Sequence, residues 1–317
     1  MRCAGAVRGC LGMDAPELNV VTGAFSYTGK YIAQRLLSMG KGVTTLTGHP
    51  NRPNPFGDRV SVAPFHFDNP SELIKSLRGA TTVYNTYWVR FPYGEDSFEK
   101  AVENTTTLIE AAKAAGVRRI VHISVTNASE DSPLPYFRGK GLLENAIVHS
   151  RLSYAIIRPT VIFGVEDILI NNIAWLLRRF PVFVVPGAGD YRVQPVFAED
   201  VAEIAVRAAH QDENIIADAV GPETYTFDEL VRLIADRIHS RARIIHLGPG
   251  LALFLTKPIG RLVRDVVLTR EEVDGLMANL LLSEGPPTGQ TLLSDWLGQN
   301  AGRVGARYAS EVSRHFR

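Results

Sequence analysis

From Leu18 onward the chain alternates short β-branched apolar runs with longer stretches whose apolar residues recur at helical spacing. LNVVT is followed by TGKYIAQRLLSMG, VTTLT, RVSVAPFHF and SELIKSLRG, and then by ATTVYNT, SFEKAVENTTTLIEAAKAAG and RRIVHIS. A helix over about 136–150 and a strand at SYAIIRP continue the series. Strands that are apolar along their whole length are buried on both faces. The rhythm therefore predicts a parallel sheet covered by helices on each side, a Rossmann-type doubly wound α/β fold. Right-handed crossovers fix most of its topology.

Beyond Pro159 the rhythm loosens. A helix over about 168–179, a strand at FVVP, the glycine-rich loop PGAGDYR and a helix over about 199–209 lead to TYTFDELVRLIADRI. There Thr226, with Glu229 three residues on, has the form of a capping box. The expected division is an N-terminal extension over 1–17, a dinucleotide-type domain over 18–160, and a smaller C-terminal α/β substrate lobe over 161–317 interleaved with it. The segment 250–268, GLALFLTKPIGRLVRDVVL, mixes apolar residues with Lys257, Arg261 and Arg264. Pro258 is expected to interrupt it, and packing against the small lobe is favoured over weak peripheral membrane contact.

Composition narrows the function class. With 317 residues, 45% of them hydrophobic, the chain can bury a sizeable core. Its 34 Lys and Arg against 33 Asp and Glu, scattered along the sequence, set nucleic acid aside as a partner. Cys3 and Cys10 are the only cysteines and make neither a disulfide framework nor a zinc spacing, so no metal is expected. No run is apolar enough for a signal peptide or a transmembrane segment, and Met13 is a candidate initiator. A reducing, cytoplasmic setting is the expectation.

The candidate chemistry starts at VVTGAFSYTGKYIAQRLL, where a loop joins the first strand to the first helix. A triphosphate loop needs four residues between its glycines and a Ser or Thr after its lysine. Here five intervene and Tyr31 follows. A dinucleotide loop fits better, because Gly23 permits the tight turn, Gly29 permits close helix-strand packing, and the helix amides face a pyrophosphate. Ser26 stands where a third glycine would let the backbone approach the phosphates, and its hydroxyl can donate to one. The second strand ends at Thr47 and Gly48 without a carboxylate, followed by His49 and Arg52; this favours NADP, with NAD the alternative. Lys30 can add positive charge there.

TGAFSYTG resembles the T-G-x-x-G-x-x-G loop of the extended and atypical short-chain dehydrogenase/reductase superfamily, with Ser26 in place of the middle glycine. VENTTTLIEAAKAAGVRRIVHIS, IIRPTVIFG, PVFAEDVAEIAVRAA and TYTFDELVRLIA follow in the expected order, so the resemblance spans about 18–238. YFRGKGLLE is most similar to the NmrA-like branch and the nucleotide-binding accessory subunit of respiratory complex I, relatives that include dinucleotide binders without known turnover. The resemblance implies a cofactor set of Gly23, Phe25, Ser26, Tyr27, Thr28, Gly29, His49, Arg52, Asp68 at the adenine edge, Asn85, Thr86 and Arg158.

It also implies that Tyr136 and Lys140, a Y-x-x-x-K pair, are catalytic and that Lys140 binds the nicotinamide ribose. The physical logic is that i, i+4 spacing sets both on one helix face, where the ammonium can lower the phenol's pKa. Ser124 and Thr126 compete for the third role, a hydroxyl that holds the substrate oxygen. Tyr87, Trp88, Phe91 and Tyr93 after the fourth strand, with Arg192 and Gln194 as polar anchors, suggest an apolar or aromatic substrate pocket for a quinone-, steroid- or lipid-like carbonyl. Three functions follow as candidates: an NAD(P)-dependent oxidoreductase on an apolar alcohol or ketone, a nucleotide-sugar epimerase or dehydratase, and a non-catalytic NAD(P)H sensor or assembly subunit. A small-molecule substrate and a homo-oligomer are the expected partners.

Overall fold

The computed structural model describes residues 17–316; Cys3, Cys10 and Met13 lie outside the described residues. In chain order its strands are β1 Leu18–Thr22, β2 Gly42–Thr47, β3 Val60–Pro64, β4 Ala80–Asn85, β5 Arg119–Ile123, β6 Ser153–Pro159, β7 Val161–Phe163, β8 Val182–Pro186, β9 Arg192–Val193, β10 Pro195–Phe197, β11 Ile215–Ala219, β12 Tyr225–Thr226 and β13 Arg243–Leu247. Its helices are α1 Tyr27–Ser38, α2 Pro70–Leu77, α3 Phe98–Ala114, α4 Pro135–His149, α5 Leu169–Arg179, α6 Ala198–Ala209, α7 Phe227–Arg237, α8 Pro249–Val263, α9 Arg270–Met277, α10 Leu293–Asn300 and α11 Glu311–His315.

Seven parallel strands form one sheet in the order β11-β6-β5-β4-β1-β2-β3. The order reverses between β1 and β4, and in doubly wound sheets that switch point, at the carboxyl ends of the strands, is where ligands sit. Helices α1 and α6 bury Ile32, Leu36, Val201 and Ala205 against one face. On the other face, Leu73, Leu77, Leu108 and Ile147 from α2, α3 and α4 pack on Val20, Val83 and Ile156. A separate core holds the smaller lobe, built on Phe163, Ile173, Phe183, Leu230 and Trp296.

The capping box at Thr226 and Glu229 forms as its sequence predicts, with the Thr226 hydroxyl accepting from Glu229 N and the carboxylate accepting from Thr226 N. The seventh strand, β11, comes from beyond residue 210 and pairs with β6, so the C-terminal part contributes to the main sheet. One feature differs from expectation. Helix α8 continues through Pro258, and of its residues only Ala252 and Gly260 are buried. It packs on β8 of the small lobe along one side and leaves Leu251, Phe254 and Leu262 exposed along the other.

Candidate dinucleotide site and adjoining chamber

Gly23 adopts φ +66°, a left-handed conformation that turns the chain out of β1. Ser26 N closes the turn on Gly23 O at 2.8 Å. A Cβ at Gly29 would overlap the Gly23 carbonyl, so that glycine lets the first turn of α1 press against the loop. Ser26 is the N-cap of α1, yet its side chain makes no capping hydrogen bond, and it lines the main cavity with Tyr27, Thr28 and Thr86. An uncommitted hydroxyl and the first-turn amides of a helix together suit an anionic phosphate. Gly29→Ala forces the carbonyl and helix apart. We expect a loss of about 1–3 kcal/mol in urea unfolding and of dinucleotide retention on a nucleotide-affinity column.

At the ends of β4 and β5, Thr86 donates from Oγ1 to Thr22 O at 2.6 Å and faces the cavity. Asn85 is fully buried; its Oδ1 accepts from Thr22 Oγ1 at 3.2 Å and its amide nitrogen lies 3.0 Å from His122 Nδ1. It ties strands together and does not line the cavity. Lys140 Nζ donates to Ile123 O at 2.8 Å and sits 4.7 Å from the centroid of the Trp88 ring. Burial pulls its pKa down to about 7. Trp88 reaches this position because Gly139 has no side chain: a Cβ there would stand 2.6 Å from Trp88 Cη2.

Tyr136 lies edge-on to Trp88 and Phe98, with ring centroids 5.8 and 5.9 Å away. Burial pushes its phenol pKa above the ordinary value; the Glu272 and Glu311 carboxylates push the same way and Arg90 opposes them. Lys140 points to Ile123 and Trp88, so its ammonium does not acidify the phenol as the i, i+4 logic predicts. Of the two hydroxyl candidates, Ser124 lines the cavity, and its buried Oγ has no hydrogen-bond partner among the described residues. Thr126 does not line it and donates to Asp218 Oδ2 at 3.4 Å.

An NAD(P)H-binding family model matches residues 23–167, which span the loop, the switch point and the Tyr136/Lys140 helix. A mitochondrial NADH dehydrogenase [ubiquinone] 1 alpha subcomplex subunit 9 from Arabidopsis thaliana is 26% identical over 283 residues, 83% of this chain and 70% of that protein. Among solved structures, a Citrobacter sp. triphenylmethane reductase complexed with NADP(H) superposes with a TM-score of 0.72 at 16% identity, over 89% of this chain and 99% of that one. A Staphylococcus aureus nucleoside-diphosphate-sugar epimerase gives 0.71 at 17% identity, covering 88% and 99%. The chain thus carries an NAD(P)H-binding domain on a fold shared with reductases and epimerases.

Several of the expected site residues sit away from the chamber. Tyr87 turns toward the β3 side, where its ring lies 5.1 Å from both Phe65 and Phe67 and its hydroxyl accepts from Asn104 Nδ2 at 2.9 Å. Phe65 and Phe67, with Thr47, Gly48 and Asp68, line a second, more open cleft at the ends of β2 and β3. Asp68 thus lies in that cleft, and Tyr87 packs against its wall and does not line the main cavity. Phe25 packs near Phe56, their centroids 6.4 Å apart. Arg158 is held by both oxygens of Glu144 and does not reach the chamber. Arg192 is exposed, and Gln194 is buried with Nε2 donating to Gly221 O at 3.1 Å; neither lines the chamber.

The expected NADP-selecting residues are tied down by the C-terminus. His49 Nε2 lies 3.0 Å from His315 O, and Arg52 Nη1 donates to Arg314 O at 2.5 Å. The Arg314 guanidinium rests 5.7 Å from the Tyr27 ring centroid, while Lys30 pairs with Glu166. Phe316 packs on Phe91 and Tyr93. Helix α11 therefore closes one side of the site next to the glycine loop.

The main cavity has a volume of about 680 Å³. It extends from Ser26 and Thr86 past Ser124, Tyr136 and Lys140 to Leu176, Phe183, Leu255 and Leu276 of the small lobe and α8. Sequence reasoning did not find its charged wall, Arg90, Glu272 and Glu311. Arg90 Nε donates to Glu272 Oε1 at 2.5 Å, and burial raises the Glu311 pKa. These three residues are 182 and 39 positions apart in the chain, a separation that no local spacing rule joins.

Proposed function

We propose that the protein is an NADPH-dependent reductase of an apolar carbonyl compound. The reading rests on one observation: a single chamber joins the phosphate loop, the Ser124/Tyr136/Lys140 cluster and a largely apolar pocket. The residues present fit a dinucleotide. Gly23 and Gly29 open the turn, and the hydroxyls of Ser26 and Ser124 carry no capping or other hydrogen bond. The bound nicotinamide would supply the hydride. The α1 amides and Ser26 would hold the pyrophosphate, and Lys140 a ribose hydroxyl.

Ser124 Oγ would donate to the carbonyl oxygen of the substrate, and Tyr136 would give it a proton. Burial keeps the Tyr136 phenol protonated at neutral pH, which suits reduction better than alcohol oxidation. With Arg192 and Gln194 outside the chamber and Arg90 held by Glu272, the small-lobe end of the chamber is walled mainly by apolar side chains such as Leu176, Phe183, Leu255 and Leu276. That weighs against an epimerase.

The absence of a carboxylate at the end of β2, beside His49 and Arg52, supports NADPH over NADH. We expect Arg52→Glu to raise the Kd for NADPH about tenfold or more while changing that for NADH less than about threefold, by fluorescence titration. Equal effects on the two would remove Arg52 as a selector.

A second reading, a non-catalytic NAD(P)H-binding subunit, is favoured by one contact. Trp88 covers the Lys140 ammonium. Mass spectrometry of the nucleotide released from purified protein, followed by NADPH oxidation with quinones, aromatic ketones and UDP-sugars, separates the readings. Turnover of a quinone or ketone supports the reductase. Bound NADPH that no acceptor oxidises supports the subunit.

A further inference from the structure

Helix α8 presents an apolar stripe to solvent. Leu251, Phe254, Leu255, Pro258 and Leu262 recur at i, i+3, i+4, i+7 and i+11, which places them on one face. Leu262 is 72%, Phe254 62% and Leu251 52% exposed, the three largest values among the exposed large hydrophobic residues. A globular chain gains by burying such a row, so its exposure asks for a covering surface.

The charge on α8 itself is of one sign. Between Arg237 and Arg264 the sequence holds six Lys or Arg and no Asp or Glu. Lys257 and Arg261 lie along one edge of the stripe by helical spacing, and Lys257 Nζ sits 5.9 Å from the Phe254 ring centroid. An apolar stripe with a cationic edge matches the boundary between acyl chains and anionic headgroups.

The inner face of the same helix is a wall of the chamber, through Ala252, Leu255, Thr256 and Ile259. Three chamber-lining residues, Leu255 of α8, Val182 of β8 and Ile245 of β13, are also exposed. The chamber wall thus reaches the surface beside the stripe. Among the described residues no helix is long and apolar enough to cross a membrane, so contact would be from one side only.

We propose that α8 docks the protein on an anionic lipid bilayer and holds the mouth of the chamber against it, so that the occupant of the chamber is an amphiphile drawn from that bilayer. Docking uses none of the dinucleotide-binding residues and stands whether or not the chain turns over.

Full-length protein is sedimented with phosphatidylcholine vesicles and with vesicles that also contain phosphatidylglycerol. The bound fraction should be at least about tenfold higher on the anionic vesicles and fall in high salt. Phe254→Ser with Leu262→Ser, and separately Lys257→Glu with Arg261→Glu, should each lower it about tenfold or more. All four side chains are exposed, so the thermal midpoint should stay at the wild-type value. No binding to anionic vesicles, or equal binding by the serine pair, overturns the proposal. So does a dimer in light scattering that dissociates in the serine pair, which would assign the stripe to a second copy of the chain. Because these readouts use vesicles and no nucleotide, they fail independently of the reductase reading.

Discussion

Tyr136→Phe should lower turnover of an apolar ketone at least about a hundredfold while leaving the Kd for NADPH within about twofold. The hydroxyl is the only group removed, and the ring keeps its edge-on packing against Trp88 and Phe98. Stopped-flow reduction and fluorescence titration read the two quantities separately. Because burial and two carboxylates hold the wild-type phenol protonated, its activity in the reductive direction should show no loss from ionisation of Tyr136 between pH 7 and about pH 9. Turnover that survives in the phenylalanine variant would place proton donation elsewhere, with Ser124 the first alternative.

The second large effect concerns stability. Lys140 ionises near pH 7 in the folded protein and near 10.5 when unfolded, the shift being caused by burial. Between those values the unfolded chain binds the extra proton, so stability should rise as pH rises from about 7 to about 10, and the penalty should be complete below 7. The slope from this group is at most about 1.4 kcal/mol per pH unit. Lys140→Met removes the titrating group and should flatten the profile, with its largest gain over wild type near pH 7. Urea unfolding at pH 7, 8 and 9.5 measures it. Parallel profiles for the two proteins would mean that the ammonium does not carry the penalty.

Much of this site was legible from residue order alone, because the deciding features are local. The strand-turn-helix around Gly23 and Gly29 depends on where a side chain is missing, and the capping box at Thr226 on a spacing of three. What was not legible depends on distant partners. Nothing near Tyr87 signals that its ring turns toward Phe65 and Phe67, and nothing near Arg158 signals that Glu144 holds it. Arg52 and His49 read as selectors of a phosphate, yet their acceptors in the fold are backbone carbonyls more than 260 residues away. The i, i+4 spacing of Tyr136 and Lys140 put both on one helix face, as periodicity requires. It could not show that Gly139 between them admits Trp88, which redirects the ammonium. For α8, Pro258 suggested a break, but removing one amide donor from an otherwise apolar helix with a solvated outer face is tolerated.

The pairing of β11 with β6 also bears on how the chain is made. A nascent chain that has emerged only to Pro159 has six of the seven strands, with β6 an open edge and the α1 face that α6 covers still bare. About 60 further residues must leave the ribosome before Ala219 can close that edge, a delay on the order of several seconds. During that interval the nascent chain is most exposed to strand-to-strand association, and a truncation at residue 160 would make the vulnerability permanent.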